Sequence, residues 1–331
     1  MNAKTKKRSS TISKAALALM VFLLISLAGG AMLNATSANT QIAHAASSSS
    51  GIWLKALNGK WFYLHSNGKI TCSAWEKISG KYYYFDKYGY MQTGFVKVNG
   101  KTYYCDTDGS RVTGWKSIGS KRYYFSTSGI MQTGWKTIVG KKYYFDSNGV
   151  LQKGWRTING KHYYFRSDGT ICTGWQTIAS KKYYFSKTGY ASTGWKTISS
   201  RRYCFNSSGV MQTGWIGKGS GKSYLGNNGV MATGWQTING NRYYFLKSGL
   251  AVKGWKTISS KKYYFSSSYI MQKGWFSVGS KKYYANSYGV LQKSKWIDGT
   301  YWVKADGSMA KSTWVDNKRY YVGADGKKQK R

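Results

Sequence analysis

A Gly-Trp pair returns every 20 residues through most of this chain, and that period constrains the fold more than any other feature. The tryptophans stand at 115, 135, 155, 175, 195, 215, 235, 255 and 275, and Trp75 and Phe95 keep the same phase upstream. Trp53, Trp296 and Trp314 begin less regular units of 22, 18 and 18 residues. A chain that repeats itself at this interval cannot be divided into domains by its 331-residue length, because each repeat is one small supersecondary unit. Such units bury little alone and must stack on their neighbours.

The unit from Trp135 to Gly154 shows what each repeat can form. A short β-rich run, Trp135 to Ile138, meets the two-residue turn Val139-Gly140, and a second run, Lys141 to Phe145, follows. Elsewhere the turn is Asn-Gly or Gly-Ser, and Asn-Gly between β-rich runs is a strong hairpin signal. Asp146-Ser147-Asn148-Gly149 reads as a second turn. A brief strand, Val150 to Gln152, is expected to lead into the next Gly-Trp. Pairing across the two-residue turn sets Ile138 opposite Lys141, Thr137 opposite Lys142, Lys136 opposite Tyr143 and Trp135 opposite Tyr144. Alternation then places Trp135, Thr137, Lys142 and Tyr144 on one face and Ile138, Tyr143 and Phe145 on the other. Forty Gly and no Pro suit many tight turns between strands. The expected fold is all-β: a solenoid or superhelix of about fourteen tandem ~20-residue β-hairpin repeats.

The ends read differently. Residues 1–14 carry Lys4, Lys6, Lys7, Arg8 and Lys14, an apolar stretch runs from Ala15 to Leu33, and small residues lead to Ala43-His44-Ala45. That order is a secretory signal peptide, 1–45, with cleavage expected after Ala45. An uncleaved anchor is the alternative, because the apolar stretch is nearly long enough to span a bilayer. Residues 46–52 read as a Ser-rich linker, 53–295 as the tandem repeats and 296–331 as irregular C-terminal capping repeats. No stable membrane span is expected once the signal is removed.

The net charge is +41, and about +36 remains without the first fourteen residues. Charge of this size speaks to partners rather than to fold. It points to a polyanion: phosphate-bearing wall polymer, acidic glycan, anionic membrane or nucleic acid. Nucleic acid ranks behind wall polymer, given the secretion signal and the repeat type.

Catalytic chemistry has little to work with. His65 and His162 are the histidines outside the signal, Glu76 is the single Glu, and most aspartates sit in turns, as Asp86, Asp106, Asp146, Asp168, Asp306 and Asp325 do. No carboxylate pair and no nucleophile–base–orienter set stands out. Cys72, Cys105, Cys172 and Cys204 show neither Cys-x-x-Cys nor metal-ligand spacing and read as free thiols. No catalytic residue, metal or cofactor is assigned, and the chain is expected not to be an enzyme.

The unit Gly-Trp-x-x-x-x-Gly-Lys-x-Tyr-Tyr-Phe-x-x-x-Gly-x-Met-x-x-Gly-Trp resembles the cell-wall-binding and choline-binding repeat superfamily over about residues 53–331. It looks most like the variant in glucan-binding domains of glucosyltransferases and in the C-terminal repeats of large clostridial toxins. The resemblance implies ligand sites between neighbouring hairpins and non-covalent attachment to teichoic acid, glucan or cell-surface glycan. It also implies a secreted protein held at the wall, with any catalysis supplied by a separate partner.

In choline-binding members a second Trp precedes the Tyr-Tyr pair and helps wall a cage for the quaternary ammonium. Here that position holds Arg122, Lys142, His162, Lys182, Arg202, Lys222, Arg242, Lys262 and Lys282. A cation there repels choline and suits a phosphate, carboxylate or sugar hydroxyl. A choline cage is therefore carried over only at Trp53, Trp61, Trp75 and Tyr82. The expected aromatic and basic ligand face comprises the nine Gly-Trp tryptophans from Trp115 to Trp275. Arg122, Lys142, Lys182, Arg202, Arg242 and Lys262 join them, with Tyr124, Tyr144, Tyr184, Tyr244 and Tyr264. Each Trp has two readings, a buried core ring or an exposed stacking platform. Met131, Met211, Met231 and Met271 read as gap-filling core. A lectin for host or dietary glycans and a structural surface coat remain as alternative functions.

Overall fold

The computed structural model describes residues 51–56, 58–217 and 221–329. The signal-peptide reading, residues 1–45, and most of the Ser-rich linker lie outside the described residues. Among the described residues the chain forms twenty-eight strands, paired as fourteen antiparallel two-stranded hairpins. Most strands have five residues, as in Gly134–Ile138 with Lys141–Phe145; the last two hairpins have three per strand, as in Thr313–Val315 with Tyr320–Val322. Contacts divide the described residues into two compact units, those up to Gly154 together with Phe165–Ile171, and Trp155–Tyr164 together with those from Cys172 onward.

The register is the one the two-residue turn dictates. Lys141 opposes Ile138, Lys142 opposes Thr137, Tyr143 opposes Lys136 and Tyr144 opposes Trp135. Val139 and Gly140 both take positive φ, 46° and 69°, the geometry that matches the twist of the flanking strands. The next turn is closed by Asp146, whose Oδ1 accepts the N–H of Asn148 and of Val150, each at 2.9 Å.

The core lies on the face expected for it. Phe85, Phe125, Phe145, Phe185 and Phe265 are fully buried, and Tyr143 and Ile138 are nearly so. Full burial of one such ring stabilises by about 1.5–3 kcal/mol relative to exposure. The ring faces are completed by the preceding hairpin: within the first unit Trp115 packs on Tyr143 and Phe145, at 5.1 and 5.8 Å between ring centres. Within the second unit Trp235 does the same to Tyr263 and Phe265, at 4.9 and 5.9 Å. Successive hairpins thus stack head to tail within each unit, as a solenoid.

The segment after the second turn departs from the expected third strand. It makes only a one-residue bridge, Leu151 to Phe145. The reason lies in where its N–H groups go: Leu151 donates to Arg122 O of the preceding hairpin (2.8 Å) and Gln152 to Tyr144 O of its own (2.9 Å). Neighbouring donors serve two different hairpins, so no ladder extends. The segment is a clasp, repeated in Met131 to Thr102 and Gln132 to Tyr124. Its apolar side chain closes on the glycine of the following turn. A Cβ on Gly149 would lie 2.5 Å from Met131 Sδ, and Gly149 itself has φ 76°.

Candidate functional site

Each Trp is both core and platform. Trp115 meets Tyr124 of its own hairpin at 5.0 Å and the next hairpin's Tyr143 and Phe145, yet it is only partly buried. Trp155, Trp175, Trp195 and Trp215 are 37–40% exposed. Tyr124, Tyr144, Tyr184, Tyr244 and Tyr264 stand directly opposite their tryptophans, 4.9–5.2 Å between ring centres. One edge of the indole is thus held in the stack while another part faces water.

At six of the Gly-Trp rings the cation two residues before the residue paired with the tryptophan (a tyrosine, or Cys204 opposite Trp195) lies over the indole. Arg122 lies 4.4 Å from the Trp115 ring centre, Lys142 4.6 Å from Trp135 and Arg202 4.7 Å from Trp195. Arg242 lies 4.4 Å from Trp235, Lys262 4.7 Å from Trp255 and Lys282 5.2 Å from Trp275. Pairing across the strands brings them together, because Lys142 and Trp135 are diagonal neighbours on one face.

Three of the nine predicted positions behave differently, and one of them, Lys222, falls one residue before the shortened strand Ser223–Leu225. His162 turns to Thr157, Nδ1 to Oγ1 3.0 Å. Lys182 lines a recess of about 210 Å³ with Trp175, Gln176, Thr177, Tyr203, Met211 and Asn228.

The four residues expected to form a choline cage fall into two successive boxes. In the first, Trp53 packs on Tyr83 of the next hairpin at 4.9 Å, and Trp61 shares its face through the pairs Trp53–Tyr63 and Lys55–Trp61. Met91 belongs to the same cluster and donates its N–H to Trp61 O at 2.7 Å. Lys55 Nζ lies 5.6 Å from the Trp61 ring centre, near the outer limit for a cation–ring contact. In the second, Trp75 packs on Tyr103 at 4.9 Å, and the Arg111 guanidinium lies 4.2 Å from the Tyr82 ring centre and 5.5 Å from Trp75. Sequence reasoning missed Tyr83, Met91, Tyr103 and Arg111, which come from the following hairpin and its clasp.

The acids do structural work. Ser110 donates to Asp108 from its hydroxyl (2.6 Å) and its N–H (2.9 Å), and these bonds with Lys81 hold the carboxyl down to about 2. Ser308 does the same for Asp306, also about 2. Among the described residues the lysine–carboxylate pairs include Lys81–Asp108, Lys116–Asp106 and Lys281–Asp306, and His65 Nε2 lies 3.2 Å from Glu76, so ten acids leave most of the 51 Lys and Arg unneutralised. The fold also gathers His65, Thr71 and Glu76, a set not visible in the sequence. His65 presents the same Nε2 to both Thr71 and Glu76, so the imidazole cannot relay a proton from one to the other. All four cysteines are free thiols, and burial pushes Cys105 up to about 11. Among the described residues no group of three or more His, Cys, Asp or Glu could hold a metal ion, and no helix is long and apolar enough to cross a membrane.

Comparison with known families places these repeats. Choline-binding repeat models match residues 73–111, 112–151, 192–233, 232–255 and 290–327. A cell wall binding repeat model matches 52–70, 153–171, 173–191, 253–268 and 273–291. The chain belongs to the cell-wall-binding and choline-binding repeat superfamily. Among solved structures, this choline-binding-repeat chain is similar to CbpJ of Streptococcus pneumoniae, with 29% identity over 72% of this chain and 99% of that one and a TM-score of 0.56. It is also similar to choline binding protein F of the same organism, with 28% identity, 73% and 100% coverage and a TM-score of 0.52. That protein crystallised in the presence of a peptidoglycan analogue is matched at 27% identity, with 73% and 100% coverage and a TM-score of 0.53. A search of the curated proteins finds no match.

Proposed function

We propose that the chain is a secreted, non-catalytic surface protein, its signal peptide 1–45 removed, that attaches non-covalently to anionic bacterial cell-wall polymer. The observation that carries this reading is the repeated cation on a tryptophan face, six times at 4.4–5.2 Å. A phosphate or carboxylate pairs with the Lys or Arg while the adjoining sugar or polyol lies against the exposed indole. The first box supplies a different chemistry: Trp53, Trp61 and Tyr83 offer ring faces to a quaternary ammonium. A polymer bearing both phosphate and choline would engage both kinds of site. Each site is weak, and linkage of many along one chain supplies the avidity.

A second ligand chemistry is favoured by the Trp175 recess, whose Gln176, Thr177, Lys182 and Asn228 suit the hydroxyls of a saccharide. Retention on purified cell walls tests the main reading. It should fall steeply between low and near-molar salt, where screening shortens to about 3 Å, and should fall on walls stripped of their anionic polymers. Free choline should compete only through the first box, so Trp61→Ala should abolish that competition. Retention undiminished by salt and by stripping would remove the electrostatic reading.

A further inference from the structure

The second aromatic box is already occupied by a side chain of the protein itself. Arg111 belongs to the clasp of the third hairpin, where its N–H donates to Tyr82 O at 2.7 Å. From there its side chain passes against Gly129, where a Cβ would lie 2.5 Å from Arg111 Cδ. The guanidinium comes to rest 4.2 Å from the Tyr82 ring centre and 5.5 Å from that of Trp75. Its Nε is buried and has no hydrogen-bond partner, and Arg111 makes none of the ion pairs among the described residues. A half-buried cation without a carboxylate is costly. What faces it here is the negative side of aromatic rings, the same compensation an aromatic cage gives a quaternary ammonium.

The clasp position has different occupants in otherwise parallel boxes. Met91 holds it behind Trp53 and Trp61, where its N–H donates to Trp61 O as that of Arg111 donates to Tyr82 O. Lys328 holds it near the C-terminus, where its N–H donates to Thr300 O and its Nζ lies 3.7 Å from the Tyr320 ring centre and 5.3 Å from Trp296. In all three the clasp N–H is held by a carbonyl of the preceding hairpin, and the clasp side chain differs.

We propose that Arg111 is an internal ligand of the Trp75–Tyr82 box and the residue that determines its specificity, closing a latent quaternary-ammonium site to external cations. The inference extends the reading above to a second box, and its test does not depend on the first. The full chain carrying Trp61→Ala, which disables the first box, is titrated with choline chloride and with tetramethylammonium chloride by calorimetry, with circular dichroism to report the fold. In this background no site sensitive to Tyr82 should be seen. Adding Arg111→Met should create one saturable site, tighter by ~10-fold or more than any residual binding, and Tyr82→Ala should remove it again. Arg111→Lys should leave the box closed, because a cation remains on the rings. If the Met variant loses its fold, Arg111→Gln, neutral and similar in length, is read in its place with the same expectation. A folded neutral variant that gains no site would overturn the proposal. So would a Tyr82-dependent site already present with Arg111 in place.

Discussion

Truncating Phe145 to Ala tests whether stability in this array is local. The ring is fully buried against Ile138, Tyr143, Leu151, Trp115 and Tyr124. Removing a ring from such a site costs about 3–5 kcal/mol, because the cavity collapses only in part. In amide exchange that is an acceleration of roughly a hundredfold to a few thousandfold. The structure also says where it should be felt. Phe145 meets Trp115 of the preceding hairpin and bridges to Leu151, whose N–H is held by Arg122 O. Protection should therefore fall in the hairpins Gly114–Phe125 and Gly134–Phe145. It should persist in Gly51–Lys55 with Trp61–His65, which lies in the same compact unit but shares no contact with the ring. Hydrogen exchange resolved by mass spectrometry of short peptides reads both regions in one experiment. An even loss of protection from Gly51 to Phe145 would refute nearest-neighbour stability, and an unchanged Gly134–Phe145 hairpin would refute the assignment of Phe145 to the core.

The turn and the acids give two further expectations. Val139 is 95% exposed yet held at φ 46°, a conformation that penalises a β-branched residue, so Val139→Asn should stabilise its hairpin by about 1 kcal/mol and slow local exchange about fivefold; faster exchange would contradict it. Asp306 is held at about 2, first by the Ser308 hydroxyl, against about 3.9 when unfolded. A depressed folded value means its stabilisation is present above about pH 4 and is lost as pH falls toward 2; the effect is small because the group is half exposed. An NMR titration should place its midpoint near 2 and move it upward in Ser308→Ala, and a wild-type midpoint near 4 would refute the assignment.

Local chemistry was legible from the residues. A two-residue turn admits one register, so the pairing of Trp135 with Tyr144 and of Lys142 with Thr137 followed from counting, and alternation then sent Phe145, Tyr143 and Ile138 to one face and Trp135 with Lys142 to the other. The cation over six of the nine Gly-Trp rings follows from the same arithmetic, since diagonal neighbours on one face are within reach of a long side chain. The twenty-residue period made stacking the only source of a core. What counting within one repeat could not reach was the partner from the next. The clasp was expected to be a strand, but its alternate N–H groups serve two hairpins, a division that appears only once the hairpins are stacked. For the same reason Trp53, Trp61, Trp75 and Tyr82 resolve into two boxes rather than one: each is finished by a tyrosine from the following hairpin and a clasp residue beyond it. Whether such a box stands open behind Met91 or is filled by Arg111 depends on where a side chain some thirty residues away comes to rest. The composition of a repeat determines which groups it offers; only stacking determines which of those groups are already taken by the chain itself.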